Sequence, residues 1–342
     1  LGVLLTIVDR LVERRLAAKA AGKAAPPGSA ERHSHEAMSA AIKLVVNSAY
    51  GYLAAGGGLT RFADVNAANE VTRRGRETLA LICRELAARG VQLLEADTDG
   101  VYFSVSDTWT ESDERRVVSE VAALLPPLVH LEFEGRYAAM LSHEPKNYAL
   151  LSYDDRLTLR GVAFRSSRAE PFGEAFLRRA IRCLLTEDVP GVRQAYLHSV
   201  FALRRRTMAT YDVSSRVRLT KSPEEYEAVR ATRRELSYEA VLASGRTTWG
   251  VGERVRVYRT SRGTGALVPE RDEDAYATSV WIDTHDYDAA HYVRVLTDNF
   301  ASRLERAFGA DDHAAVFSDP EQPSLFERDV MTIRPILRAR AE

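Results

Sequence analysis

The sequence predicts an α+β fold in three parts: an antiparallel helix hairpin, an antiparallel sheet with packed helices, and a mainly helical remainder. Three observations carry this expectation. Leu4, Leu5, Val8, Leu11 and Val12 recur at helical spacing ahead of the breaker "APPGS", Ala25 to Ser29. The stretch "LLEADTDGVYF", Leu93 to Phe103, places a turn dipeptide between two strand-like runs. Beyond about Ser166, arginine-rich helical runs such as "EAFLRRAIRCLL" and "YLHSVFALRRR" take over.

Taken in order, Leu1 to about Lys23 reads as a helix, and a second runs from about Ser34 to Tyr50. "AAGGGLT" marks the exit toward a third helix, roughly Ala67 to Arg89. The hairpin at Leu93 to Phe103 follows, then a helix through Val117 to Leu125 that Pro126-Pro127 stops. Leu131 to Phe133, "YALLSY" and "LTLRGVAF" read as strands, and a strand-like "ERVRVYRT" lies within the last part. No internal repeat and no long low-complexity tract is present.

At 342 residues the chain exceeds one typical core, so two or three subdomains are expected. Its 45% hydrophobic and 28% charged residues are those of an ordinary globular protein. A net charge of −1 excludes no partner, because a basic groove can sit inside a neutral total. Cys83 and Cys183 are the only cysteines, too few for a disulfide framework, which points to a reducing interior. The apolar run Leu1 to Val8 is too short to span a membrane and lacks the basic start of a signal peptide. A chain beginning with Leu is expected to be a piece of something longer.

Two clusters carry chemistry. Asp97 and Asp99 stand at i and i+2, so on a strand they project to one side. Two anions so close repel unless a cation or strong donors lie between them, although a solvated turn alone would also account for them. Arg15 and Lys19 share one face of the first helix, and Lys43, Asn47 and Tyr50 share a face of the second. Folding the pair at the Pro-Pro-Gly turn could bring three cations together on a triphosphate. The competing reading is a solvated basic face with Tyr50 packed as core. His33 and His35 have metal-like spacing but no further ligands, and read as surface residues.

Several motifs together resemble the family B DNA polymerases. "KLVVNSAYG", Lys43 to Gly51, is similar to the family's Lys-x-x-x-Asn-Ser-x-Tyr-Gly motif. "TRFADVNAANEVTRRGRE", "EADTDGVYF", "LEFEGRY" and "PKNYALL" resemble the stretches that follow it, in the family's order and spacing. The resemblance is clear from Leu1 to about Arg168 and weaker in "RLTKSPEEY" and "DYDAAHYVRVL". It implies fingers over residues 1–56, the second half of the palm over 57–168, a thumb over 169–318 and a tail over 319–342.

The implied activity is DNA-directed DNA synthesis on a primer–template, with two Mg²⁺ ions and a dNTP. Asp99 would bridge the metals and Asp97 support it, with Glu132 and Glu134 nearby and expected to be solvated at a strand edge. Lys43 and Arg15 would hold the triphosphate, helped by Lys19 and Asn47, while Tyr50 and Gly51 floor the base-pair pocket. Lys146 and Tyr148 would meet the primer–template, and Lys221 a backbone phosphate. Placement in the cytoplasm, with the nucleoid, would follow.

Departures are also present. The family reads Tyr-Gly-Asp-Thr-Asp-Ser where this chain has Glu95-Ala96-Asp97-Thr98-Asp99-Gly100. The earlier Asp-x-x-Ser-Leu-Tyr-Pro motif does not occur within the 342 residues, so the chain by itself is expected to be inactive. A polymerase-like protein that binds primer–template without catalysis is the alternative. A metal-dependent glycosyltransferase with an Asp-x-Asp site leaves the hairpin motif unexplained. Finally, Gln322-Pro323-Ser324-Leu325-Phe326 resembles a bacterial sliding-clamp peptide, with Gln322, Leu325 and Phe326 as its anchors. Arg328 and Asp329 stand where the eukaryotic and archaeal clamp box would want aromatics.

Overall fold

The computed structural model describes residues 2–55, 63–97, 100–166, 168–270, 281–321 and 328–336. The chain forms two compact units, Leu1–Tyr102 with Ser119–His130, and Phe103–Val118 with Leu131–Glu342. Among the described residues no helix is long and apolar enough to cross a membrane.

The first unit is built on a helix hairpin. Helix α1 (Gly2–Ala24) and α2 (Ala30–Ala54) flank the Pro26-Pro27-Gly28 turn, where Gly28 takes φ 77°. Ser29 caps α2, its hydroxyl accepting from the Arg32 N–H at 3.1 Å. The less exposed positions of α2 are Arg32, His35, Ser39, Ile42, Val46, Ala49 and Leu53, alternating steps of three and four. The same alternation in α1 runs through Leu4, Val8, Leu11, Arg15, Ala18 and Gly22, with Lys19 and Ala21 beside it. These positions form the seam along which the two helices pack, spaced as in a heptad pattern.

The seam corrects the apolar stripe expected from the sequence. Leu5 and Val12 lie outside it, 56% and 38% exposed, and Arg15 holds a seam position. Helix α3 (Val65–Ala88) packs on α2, with Asp64 capping its first turn through the Ala67 N–H at 2.9 Å. Ile82 and Leu86, buried on α3, belong to the layer that meets β1 (Gln92–Asp97), which pairs with β2 (Gly100–Ser104).

After β2, α4 (Glu111–Ala122) starts earlier than expected, and β3 (Ala139–Glu144), β4 (Asn147–Leu151) and β5 (Leu157–Arg160) form an antiparallel sheet in that order. Leu131–Phe133 is not a strand. Its side chains serve α4 instead: the Arg115 guanidinium lies 4.5 Å from the Phe133 ring, and Arg136 grips both Glu114 carboxylate oxygens at 2.7 and 2.9 Å. Glu132 and Glu134 are exposed on this irregular segment. The strand expected through Phe164 stops at Arg160 because Gly161 turns the backbone to φ 85°.

Helices α5 (Pro171–Leu185) and α6 (Val189–Arg204) form a hairpin, and α5 lies against all three strands. Their core gathers Phe172, Phe176, Ile181, Val192, Tyr196 and Val200 with Phe300 and Leu304 from the C-terminal helices. Those comprise α10 (Ala289–Val295), continued by a π turn and a 3-10 turn, and α11 (Ala310–Val316). For residues 169–318 the sequence points mainly to helices. After the short helix α7 (Thr210–Val213), however, β6 (Ser215–Arg218), β7 (Arg254–Arg259) and β8 (Gly265–Val268) make a second antiparallel sheet. Helices α8 (Pro223–Arg230) and α9 (Leu236–Ala243) close its own small core of Leu219, Tyr226, Tyr238, Val241, Trp249, Val255 and Val257.

Candidate nucleotide-binding hairpin and carboxylate site

The hairpin fixes the relative height of its cations. A Cβ placed on Gly22 would lie 3.4 Å from His35 Cβ and 3.6 Å from Glu36 Cγ, so these residues are level. Stepping seven residues back along α1 (22 − 7 = 15) and seven forward along antiparallel α2 (35 + 7 = 42, 36 + 7 = 43) brings Arg15 level with Ile42 and Lys43. Both steps are about two helical turns, roughly 10 Å. Lys19 lies one turn nearer the Pro-Pro-Gly end.

Within that geometry the two basic groups differ. Lys43 is exposed, whereas Arg15 is half-buried and its Nε is fully buried without a hydrogen-bond partner. An unpartnered buried donor costs about 1–3 kcal/mol, which marks Arg15 as poorly suited to its place by packing alone. Asn47 and Tyr50 are exposed along the Lys43 face, so Tyr50 is not a core residue. Gly51 has nothing within 4 Å of where a Cβ would stand, leaving its surface open.

Asp97 is the last residue of β1 and is half-buried, while Ala96 beside it is exposed. Thr98 and Asp99 lie outside the described residues, as do Arg61 and Phe62 of the following motif and Gln322, Leu325 and Phe326. Among the described residues no group of three or more His, Cys, Asp or Glu could hold a metal ion.

In the second unit, Lys146 sits in the tight turn between β3 and β4 with φ 67°, a left-handed conformation uncommon for a lysine. Asn147 fixes the turn: its Oδ1 accepts from the Ala163 N–H at 2.9 Å and its Nδ2 donates to the Pro145 carbonyl at 3.1 Å. Gly161 packs against the Lys146 carbonyl so closely that a Cβ there would collide. Lys146 is thereby presented at the surface, with Tyr148 half-buried two residues on.

Lys221 is held more firmly. Its Nζ pairs with Glu235 at 2.8 Å and lies 5.6 Å from the Tyr238 ring centre. Its backbone N–H donates to the Tyr238 hydroxyl at 2.9 Å, and its carbonyl accepts from Trp249 Nε1 at 2.9 Å. A phosphate at Lys221 would therefore compete with Glu235. A group not singled out from the sequence is the set of arginines on β6 and β7, although the repeated Arg-x-Arg pattern at 216–218 and 254–256 was a legible signal.

The helix hairpin, the antiparallel sheets and these motifs describe a mixed α+β chain of the kind the polymerase resemblance implies. The sequence model of DNA polymerase family B matches residues 1–306. The chain belongs to DNA polymerase family B.

It is similar to DNA polymerase 1 of Pyrococcus abyssi (strain GE5 / Orsay), 35% identical over 125 residues, covering 36% of this chain and 16% of that one. The DNA polymerase of Archaeoglobus fulgidus is 26% identical over 226 residues, covering 66% and 28%. That of Thermococcus sp. (strain 9oN-7) is 24% identical over 277 residues, covering 79% and 34%. The chain thus spans 16 to 34% of the length of these relatives. Its fold is similar to the family B DNA polymerase from Pyrobaculum calidifontis, with a TM-score of 0.61 at 21% identity, over 90% of this chain and 38% of that one.

Proposed function

We propose that this chain serves template-directed DNA synthesis, as part of an enzyme that transfers a nucleotide from a dNTP to a primer 3′-hydroxyl. The observation that carries the reading is Arg15, a guanidinium in the hairpin seam with a buried, unpartnered Nε, level with the exposed Lys43. Such a pair suits a triphosphate, with the planar fork of Arg15 and the point charge of Lys43 acting together. In this reading residues 1–56 are fingers, 57–168 the second half of a palm, 169–318 a thumb and 319–342 a tail.

The donor type at the carboxylates fits Mg²⁺, a hard cation that takes carboxylate oxygens. Asp99 would help to hold Mg²⁺, with Asp97 supporting. Bound there, Mg²⁺ supplies charge neutralisation at the phosphates and a more acidic 3′-hydroxyl. The chain's own residues orient the reactants: Arg15 and Lys43 hold the triphosphate, Lys19 and Asn47 steady it, and Tyr50 with Gly51 floors the base pair. Lys146 and Tyr148 would steady the primer–template. Catalysis of this type is mostly positioning and charge stabilisation.

The purified 342-residue chain is expected to bind a primer–template weakly and to incorporate no nucleotide, since the Asp-x-x-Ser-Leu-Tyr-Pro motif is not within it. Fluorescence anisotropy with a labelled primer–template and a gel extension assay in Mg²⁺ test both halves. Robust extension would overturn the need for a second aspartate motif. Absence of any DNA or dNTP binding would overturn the polymerase reading itself, and transfer from a nucleotide sugar would replace it.

We further propose that Gln322, Leu325 and Phe326 form a docking peptide for a bacterial sliding clamp. Gln322 would hydrogen-bond the clamp while Leu325 and Phe326 fill an apolar pocket, and Pro323 limits the entropy lost on binding. A peptide spanning Gln322–Phe326 should bind a bacterial clamp, and its Leu325→Ala, Phe326→Ala form should not. Equal binding by the two peptides would leave Leu325 and Phe326 as packing residues.

A further inference from the structure

Strands β6 and β7 pair so that Arg216 stands opposite Arg256 and Arg218 opposite Arg254. Residues two apart on a strand share a face, as do residues directly opposite across a ladder. Four side chains therefore leave one face of two rungs that flank the Val217↔Val255 rung. Like charges placed directly opposite destabilise a sheet, so a compensating charge is expected at each rung.

One rung has it. Arg256 is buried, its guanidinium 4.2 Å from the Tyr211 ring centre, and it donates to the Ser214 carbonyl at 3.2 Å. Glu270 lies 3.4 Å from Arg256 and 2.8 Å from Arg216. The other rung has no such charge among the described residues. Among the described residues no carboxylate pairs with Arg218 or Arg254, nor with Arg168, whose carbonyl accepts the Arg216 backbone N–H at 3.0 Å. Arg168, Arg216, Arg218 and Arg254 line a cavity of about 100 Å³. That is the volume of about three water molecules, room for one phosphate group. The Arg216 Nε, despite its ion pair, is buried and makes no hydrogen bond.

We infer that Arg168, Arg216, Arg218 and Arg254 form a binding site for a phosphate group. Guanidiniums present paired N–H donors that match phosphate oxygens, and an anion between Arg218 and Arg254 supplies a charge that no described residue gives their rung. The phosphate has two sources of the same chemistry. A nucleic-acid backbone is one, and in that form the inference rests on the polymerase reading above. A free phosphate or polyphosphate is the other, and it stands without that reading.

The experiment compares the 342-residue chain with its Arg218→Ala, Arg254→Ala double variant. Unliganded Tm should be unchanged or higher in the variant, because repulsion is removed from an exposed rung; a clear fall would make the arginines structural and overturn the site. Inorganic phosphate and tripolyphosphate are then titrated in thermal shift, and duplex DNA in anisotropy across a salt series. For a backbone source, the slope of log K against log salt should be shallower by about 0.9 in the variant, the contribution of one neutralised phosphate. For a free anion, phosphate or tripolyphosphate should raise the Tm of the parent chain and not of the variant. If the parent chain binds DNA and the two proteins behave alike in every arm, the site is refuted while the polymerase reading stands. If the parent binds no DNA, that reading fails and the anion arm alone decides the site.

Discussion

Replacing Arg15 by leucine is expected to make the protein more stable and a poorer binder of triphosphates. Arg15 occupies a seam position of the hairpin in line with Leu4, Val8 and Leu11, where an apolar side chain belongs. Its Nε is buried without a partner, a cost of about 1–3 kcal/mol that leucine removes while completing the apolar run. A gain of about 1–2 kcal/mol should appear as a Tm higher by several degrees. With the triphosphate held as proposed, the same change would delete a charge-assisted contact worth about 1.5–3 kcal/mol, so affinity for a fluorescent dNTP should fall by about 10- to 100-fold. Arg15→Lys should fall between, keeping the charge and losing the fork. Calorimetry and nucleotide anisotropy read the two effects separately. A stabilised variant with unchanged affinity would remove Arg15 from the triphosphate site. A destabilised one would make the arginine a packing element after all.

That opposition explains why the hairpin was legible in outline and not in detail. Apolar periodicity and the Pro-Pro-Gly turn indicate two antiparallel helices, and the structure has them at Gly2–Ala24 and Ala30–Ala54. The seam is not encoded so plainly, because Leu5 and Val12 look like core while an arginine at position 15 looks like surface. Only the alternation of exposure along both helices shows that Arg15 is drawn inward.

The sheets tell a similar story. "YALLSY" and "ERVRVYRT" carry β-branched or aromatic residues and were readable as strands. Ala139–Glu144 has none, and is a strand because β4 pairs with it from Ala139↔Leu151 to Glu144↔Asn147. Leu131–Phe133 alternates like a strand, yet Arg115 and Glu114 engage its neighbourhood through side chains. Likewise the rung Arg218↔Arg254 exists only through strand register, which no local pattern encodes.

The largest effect is expected at the aspartate pair. In a protein carrying this chain together with an Asp-x-x-Ser-Leu-Tyr-Pro motif, Asp99→Asn should reduce single-turnover incorporation by at least about a thousandfold, the scale of losing a main electrostatic stabiliser. Primer–template affinity should stay within about twofold, because the substitution keeps side-chain volume and removes only charge. Asp97 closes β1 and Gly100 opens β2. Asp97→Asn should cost less, in keeping with a supporting carboxylate, and Lys43→Ala should differ in kind by weakening apparent dNTP binding and rate together. Incorporation measured in Mg²⁺ and again in Mn²⁺, with anisotropy on the same primer–template, separates these outcomes. Near-normal turnover by Asp99→Asn would move the metal site away from this turn. Loss of DNA affinity in step with turnover would mean that the two carboxylates shape the fold instead of the chemistry.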